Sequence, residues 1–308
     1  MYFAVNAWSS DLPEQILAAL QQLREQQQGL PMHCYALIDG CFDESLLSSF
    51  PWRRSVACSL YAGTRLEGMK LASPHWLRLE ENPEKQLVWL KNLVEACAGK
   101  PMLSIIASAL APDTLSAHFK PYLLAETQDS MQWPVRWADT RVQPSLMAVM
   151  APTVRKHFLS PIHAWLTGNR QGELVQWRGI GDPITEPPGF DCWPLDEQCF
   201  GNLLCEAETD AVIGQIYDRR PDLLVEGSPA DIHARVARQL EIATRYHVSA
   251  ASDRLHFAML GLIHSPEFVD ALPMQSLLNE VAKGGDYQGQ VRRLPANFWS
   301  PYVQGKTS

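Results

Sequence analysis

The sequence contains no GxxxxGK(S/T) loop, no GxGxxG fingerprint, no GxSxG elbow and no HExxH helix, so the common devices for binding phosphate or dinucleotide, transferring acyl groups or hydrolysing peptides with zinc are missing. No apolar run approaches the roughly 20 residues of a helical bilayer crossing, because Pro, Ser, His or charge interrupts each one, residues 102–111 included. No Lys or Arg precedes Arg24, so the start MYFAVNAWSSDLPEQ lacks the basic segment of a secretory signal, and the chain reads as cytoplasmic. Positive charge is also short: 26 Lys and Arg against 34 Asp and Glu give a net charge of -8, which repels a phosphate backbone and argues against nucleic acid as a partner.

The seven cysteines (Cys34, Cys41, Cys58, Cys97, Cys192, Cys199, Cys205) are odd in number and form no close CxxC pair, which fits reduced packing residues better than disulfides or a zinc knuckle. His33, His75, His118, His157 and His163 are scattered singly. His256 and His264 stand eight apart, two helical turns, too far to share one metal without further ligands. No metal site and no cofactor is expected.

What is present is a chain of 308 residues, 46% hydrophobic, long enough for one large domain or two small ones. Ser10 or Asp11 ahead of Pro13 starts a helix whose Leu12, Ile16, Leu20 and Leu23 share one face until Gly29. His33-Cys34-Tyr35-Ala36-Leu37-Ile38, closed by Asp39-Gly40, has the pattern of a strand buried on both faces. The alternation continues with strand 76–79, helix 84–98, strand 102–107, helix 113–124, strand 135–137 and helix 144–157. Segments 162–166 and 173–177 flank a turn-rich stretch and read as a hairpin.

The expected fold is therefore α/β: an N-terminal lobe, 1–189, with a mostly parallel sheet flanked by helices plus a hairpin, and a smaller all-helical lobe, 190–308. The boundary is placed near Phe190, inside the Gly- and Pro-rich GIGDPITEPPGFDCWP. Helices are expected at 196–217, at 229–247 behind the cap Ser228, and at 252–263. Most of the net negative charge falls on the second lobe, which reads as a soluble surface before it reads as one that steers a basic partner. Ten Trp is a high count, and Trp anchors interfaces as readily as it fills cores; Trp52 and Trp299 are taken as core.

Two constellations invite a chemical reading. Asp39 ends a buried strand, where open sheets place ligands and nucleophiles, so a hydrolase or phosphotransferase is one alternative. The next acid, Asp43, is four residues on, whereas haloacid-dehalogenase-type enzymes set two Asp two apart. The competing reading is a turn residue whose carboxylate accepts backbone N–H bonds or pairs with an Arg. Arg136-Trp137-Ala138-Asp139-Thr140-Arg141 places an Asp between two Arg, either an ion-pair clasp between loop and sheet or a corner that binds an anion or partner. A clasp that included Asp39 would tie two sheet-end loops together.

These residues also carry a resemblance. Tyr35-Ala36-Leu37-Ile38-Asp39-Gly40 resembles the opening "YALLDG" strand of a bacterial family long called a domain of unknown function and associated with type VI secretion effector adaptors. Ala72-Ser73-Pro74-His75-Trp76-Leu77-Arg78-Leu79 is similar to its "aPyLv.L" strand. Residues 99–108 with Ala117-His118-Phe119-Lys120 resemble its glycine, buried strand and "HLR" helix, and Arg136 to Val142 its "fRfyDPRvl" segment. There Ala138 replaces an aromatic and Thr140 a proline, while Arg136, Asp139 and Arg141 match.

The resemblance implies a cytoplasmic adaptor without catalytic residues. Such an adaptor binds a cognate effector, often at a PAAR-containing or transmembrane N-terminal region, and delivers it to the VgrG spike. Tyr35, Asp39, Gly40, Pro74, Arg136, Asp139 and Arg141 would be its structural or partner-binding signature. An immunity protein that neutralises a toxin directly is a further alternative.

Overall fold

The computed structural model describes residues 1–27, 31–43, 45–46, 58–69 and 72–302; the helix stop at Gly29 and the core assignment of Trp52 lie outside them. The chain divides into two compact units, Val5–Glu206 and a second made of Met1–Ala4 with Ala207–Ser308.

In the larger unit, Pro13 fixes the first turn of α1 (Leu12–Gln26), and its buried face is the stripe Leu12, Ile16, Leu20 and Leu23 read from spacing. The strands β1 (His33–Asp39), β2 (Cys58–Ser59), β3 (Pro74–Arg78), β4 (Leu103–Ser108), β7 (Ile162–Gly168) and β8 (Leu174–Trp177) form a six-stranded sheet in the order β2-β3-β1-β4-β7-β8. A smaller three-stranded sheet has the order β6-β5-β9, from β5 (Leu124–Glu126), β6 (Gln132–Pro134) and β9 (Trp193–Pro194).

Every neighbouring pair in the large sheet is antiparallel, which corrects the expectation of a mostly parallel one. The reason lies in how the strands are inserted. Helix α2 (Pro83–Ala96) does connect two strands of the same direction, β3 and β4, but β1 lies between them and runs opposite to both. Continuous apolarity in β1 and β4 comes from cover on both faces, and two-sided cover does not specify strand direction. Cys34, Ala36, Ile38, Ile105 and Leu166 face the core under α1 and α2. Tyr35, Leu37, Ile106 and Trp165 face a second, aromatic-rich core. An irregularity at Ala107/Ser108 shifts the register of β4 against β7, so Ile162 joins the aromatic side although Ala164 does not.

Three further local expectations change. The helix expected at 144–157 is two, α4 (Gln143–Val149) and α5 (Pro152–Leu159), because Pro152 disfavours helical backbone at Ala151, which is extended with ψ 140. Helix α3 (Pro112–Phe119) gives way to a 3-10 turn at Lys120–Tyr122 and then β5, well short of residue 124. The strand expected at 135–137 is β6, three residues earlier, and Val135 to Asp139 turn inward so that Trp137 is fully buried.

The Gly- and Pro-rich segment carries β9, whose Trp193 is buried in the aromatic core. At the start of that segment, a Cβ on Gly179 would run into the carbonyl oxygens of Leu159 and Ile162, backbone atoms that cannot rotate aside. Gly179→Ala should therefore destabilise this unit by about 1–3 kcal/mol, visible as a lower denaturation midpoint with an unchanged slope.

The smaller unit is helical. The later part of α6 (Glu197–Arg219), α7 (Pro229–Arg245) and α8 (Ala251–Ile263) are followed by α9 (Leu272–Ala282) and α10 (Tyr287–Val291). Ser228 caps α7 as expected, in a reciprocal box with Asp231. Ile232, Val236 and Leu240 form its buried stripe.

Candidate functional site

The charged residues singled out in the sequence meet at one end of the large sheet. Asp39 closes β1, with its N–H donated to the Met102 carbonyl at 2.9 Å, and its side chain is buried. The Cys41 N–H donates to Oδ1 at 3.0 Å, and Arg136 donates to Oδ2 through Nε at 3.2 Å and Nη2 at 2.8 Å. Asp139 is buried as well, and Arg141 grips both its oxygens, Nε to Oδ1 at 3.1 Å and Nη2 to Oδ2 at 2.9 Å. Arg136 Nη1 lies 3.7 Å from Asp139 Oδ2, so one guanidinium bridges the two carboxylates.

Phe42 completes the arrangement, its ring centroid 4.6 Å from the Arg136 guanidinium and 5.4 Å from that of Arg141. Two carboxylates and two guanidiniums leave the cluster neutral. Burial pushes the Asp39 carboxyl up from its ordinary range, and Arg136 opposes that push. Burial also works against the Arg136 charge, but Asp39 and Asp139 outweigh it and hold the guanidinium above its ordinary value. Burial, reinforced by Asp39, pushes the nearby Tyr61 phenol up to about 12.

Gly40 and Pro74 adjoin the cluster. The Gly40 N–H donates to Ser73 O at 3.2 Å, and Pro74 stands opposite Asp39 in the β1–β3 ladder. Tyr35 does not join them: it sits toward the other end of β1, its hydroxyl donating to Leu110 O at 3.0 Å and its ring tilted against Trp76 at 5.9 Å. Thr140, which stands where the family pattern has proline, donates its N–H to Pro101 O at 3.1 Å, a bond that proline lacks the hydrogen to make.

Sequence reasoning missed a separate ion pair, Lys100 Nζ to Asp43 Oδ2 at 2.6 Å, although a charged residue just before a buried strand was a usable signal. The Lys100 hydrogen bond holds Asp43 down at about 2. An acid whose folded value is depressed stabilises the fold above its unfolded value and loses that contribution as pH falls through the folded one. Lys100→Met should cost about 1 kcal/mol at pH 7, a figure kept small because the pair is partly solvated, and the difference from wild type should vanish toward pH 2.

The histidines do not gather into a metal site. His118 and His157 stack at 5.4 Å, with His118 Nε2 bonded to Phe158 O and His157 bonded to Tyr122 Oη and Glu186 O. Among the described residues, no group of three or more His, Cys, Asp or Glu is placed to hold a metal ion. All seven cysteines are free, and no described helix is long and apolar enough to cross a membrane.

Residues 34–157 match DUF4123, a domain of unknown function. The matched region runs from β1 to α5 and contains all seven residues singled out in the sequence, Tyr35, Asp39, Gly40, Pro74, Arg136, Asp139 and Arg141. It therefore supplies both halves of the clasp, 97 residues apart in the chain. No curated protein and no solved structure matches the chain.

Proposed function

We propose that this chain is a cytoplasmic adaptor that binds a cognate type VI secretion effector and loads it onto the VgrG/PAAR spike, with no catalytic role of its own. The observation that carries the reading is the DUF4123 match, since that family is linked to type VI secretion effector chaperones. The geometry of the clasp agrees with it. A nucleophilic carboxylate needs a free oxygen facing a substrate, whereas both Asp39 oxygens are engaged and its side chain is 1% exposed. The cluster orders two loops, and recognition is left to surfaces elsewhere on the protein.

The test is co-expression of the tagged full chain with VgrG and with the product of the reading frame beside it. Retention of both after washing is the expected result. Recovery of neither, from cells in which both are soluble, would refute the adaptor reading.

A further inference from the structure

Among the described residues several large apolar side chains are exposed, such as Val88 on α2 and Ile180. Three others come together. Met131 and Trp133 are 53% and 44% exposed; Met131 lies just before β6, and since the Thr127 N–H bond to Met131 O continues the ladder by one step, two-residue spacing puts both side chains on the same side. The Trp133 ring lies 5.4 Å from that of Phe200, and Leu204, 56% exposed, follows one turn later on the same face of α6.

The patch is where the aromatic core runs out. Trp193, Ala125 and Trp133 are neighbours across β9, β5 and β6, and the first two are buried. The row ends at Trp133 because β6 is the edge of its sheet. That edge has unused backbone groups. The Thr127 N–H donates to Met131 O and the Val135 N–H to Leu123 O, so the bonded pairs of the ladder fall at 131, 133 and 135. The N–H and C=O of Gln132 and the C=O of Pro134 therefore point away from β5, where a further strand would lie.

Charge selects what such a strand would carry. Residues 126–134 and 195–206 contain Glu126, Asp129, Asp196, Glu197 and Glu206 and neither Lys nor Arg; a cation that does reach β6, Arg65, donates to Gln132 Oε1 at 3.2 Å, on the side opposite Trp133. We propose that the β6 edge and the first turns of α6 are a docking surface for an extended segment of a partner protein. That segment has apolar side chains at alternate positions, to pack on Met131, Trp133 and Leu204, and Lys or Arg beside them, to meet the acidic rim. The inference deepens the adaptor reading and rests on it only for who the partner is.

A library of random peptides displayed on phage, selected on the immobilised full chain, tests it without a known partner. Selected peptides should combine alternating apolar residues with Lys or Arg, and bind more weakly as salt rises. In fluorescence polarisation their affinity should drop about tenfold for Trp133→Ala and for Leu204→Asp, and stay unchanged for Val88→Asp. Circular dichroism and denaturation midpoints establish that the variants fold.

The proposal is overturned if no peptide is enriched, if the enriched peptides are acidic, or if they bind Trp133→Ala as tightly as wild type. A Trp133-dependent dimer in sedimentation also overturns it, since the occupant would then be a second copy. None of these results decides the pull-down, which reads partner retention and not its location.

Discussion

Arg136→Ala is expected to lower the unfolding free energy by about 3 kcal/mol at pH 7, the low end for breaking a buried ion pair by removing one partner, because Arg136 itself reaches solvent. The loss comes from what is left behind. Asp39 keeps only the Cys41 N–H, and its charge, buried beside Asp139, has no guanidinium in front of it. Its carboxyl, already raised by burial, rises further. An acid whose folded value lies above its unfolded one contributes most below the unfolded value and loses that contribution as pH climbs to the folded value. Wild type loses the same contribution until the pH passes its own raised value, so the gap between variant and wild type should stay constant through about pH 4 and widen only as pH rises from the wild type's folded value toward the variant's higher one. Arg136→Lys should recover only part of the loss, since it keeps the charge and not the paired donors. Urea denaturation of the three proteins across that range is the check, and a gap that stays constant with pH would contradict the clasp.

Trp137→Ala is expected to be as damaging, about 3–5 kcal/mol, by emptying the middle of the aromatic core. The ring is fully buried, with its centroid 4.3 Å from that of Phe158 and 6.0 Å from that of Trp193, and its indole N–H donates to Tyr122 O at 2.8 Å. Trp137→Phe should lose about 1–3 kcal/mol, mostly because it orphans the Tyr122 carbonyl. Since Trp137 sits in the turn between Arg136 and Asp139, its removal should loosen the clasp too. The double variant with Arg136→Ala should then be less destabilised than the sum of the two singles. Strict additivity would mean that core and clasp act independently.

The two changes share a lesson about what the sequence could convey. Local signals were legible: the stripe of α1, the Ser228 cap of α7, and the buried character of β1 and β4 each depend on residues a few positions apart. Strand direction was not, because a strand covered on both faces has the same composition whether its neighbours run with it or against it. The break at Pro152 was readable in principle, since Pro disfavours helix at the residue before it, yet the apolar spacing on either side imitated one continuous helix. The two-residue β9 and three-residue β6 are too short to leave a period. At the sheet end, the residue types of the clasp stood out while their pairing did not. Only the fold brings Asp39 to Arg136, and Phe42 carried no pattern that marked it as a neighbour.

The most direct test of the adaptor reading is export from the bacterium. With the gene for this chain deleted, the effector encoded beside it should vanish from the culture medium while VgrG is still released, and the wild-type chain supplied in trans should restore it. Undiminished export of that effector in the deletion strain would contradict the account.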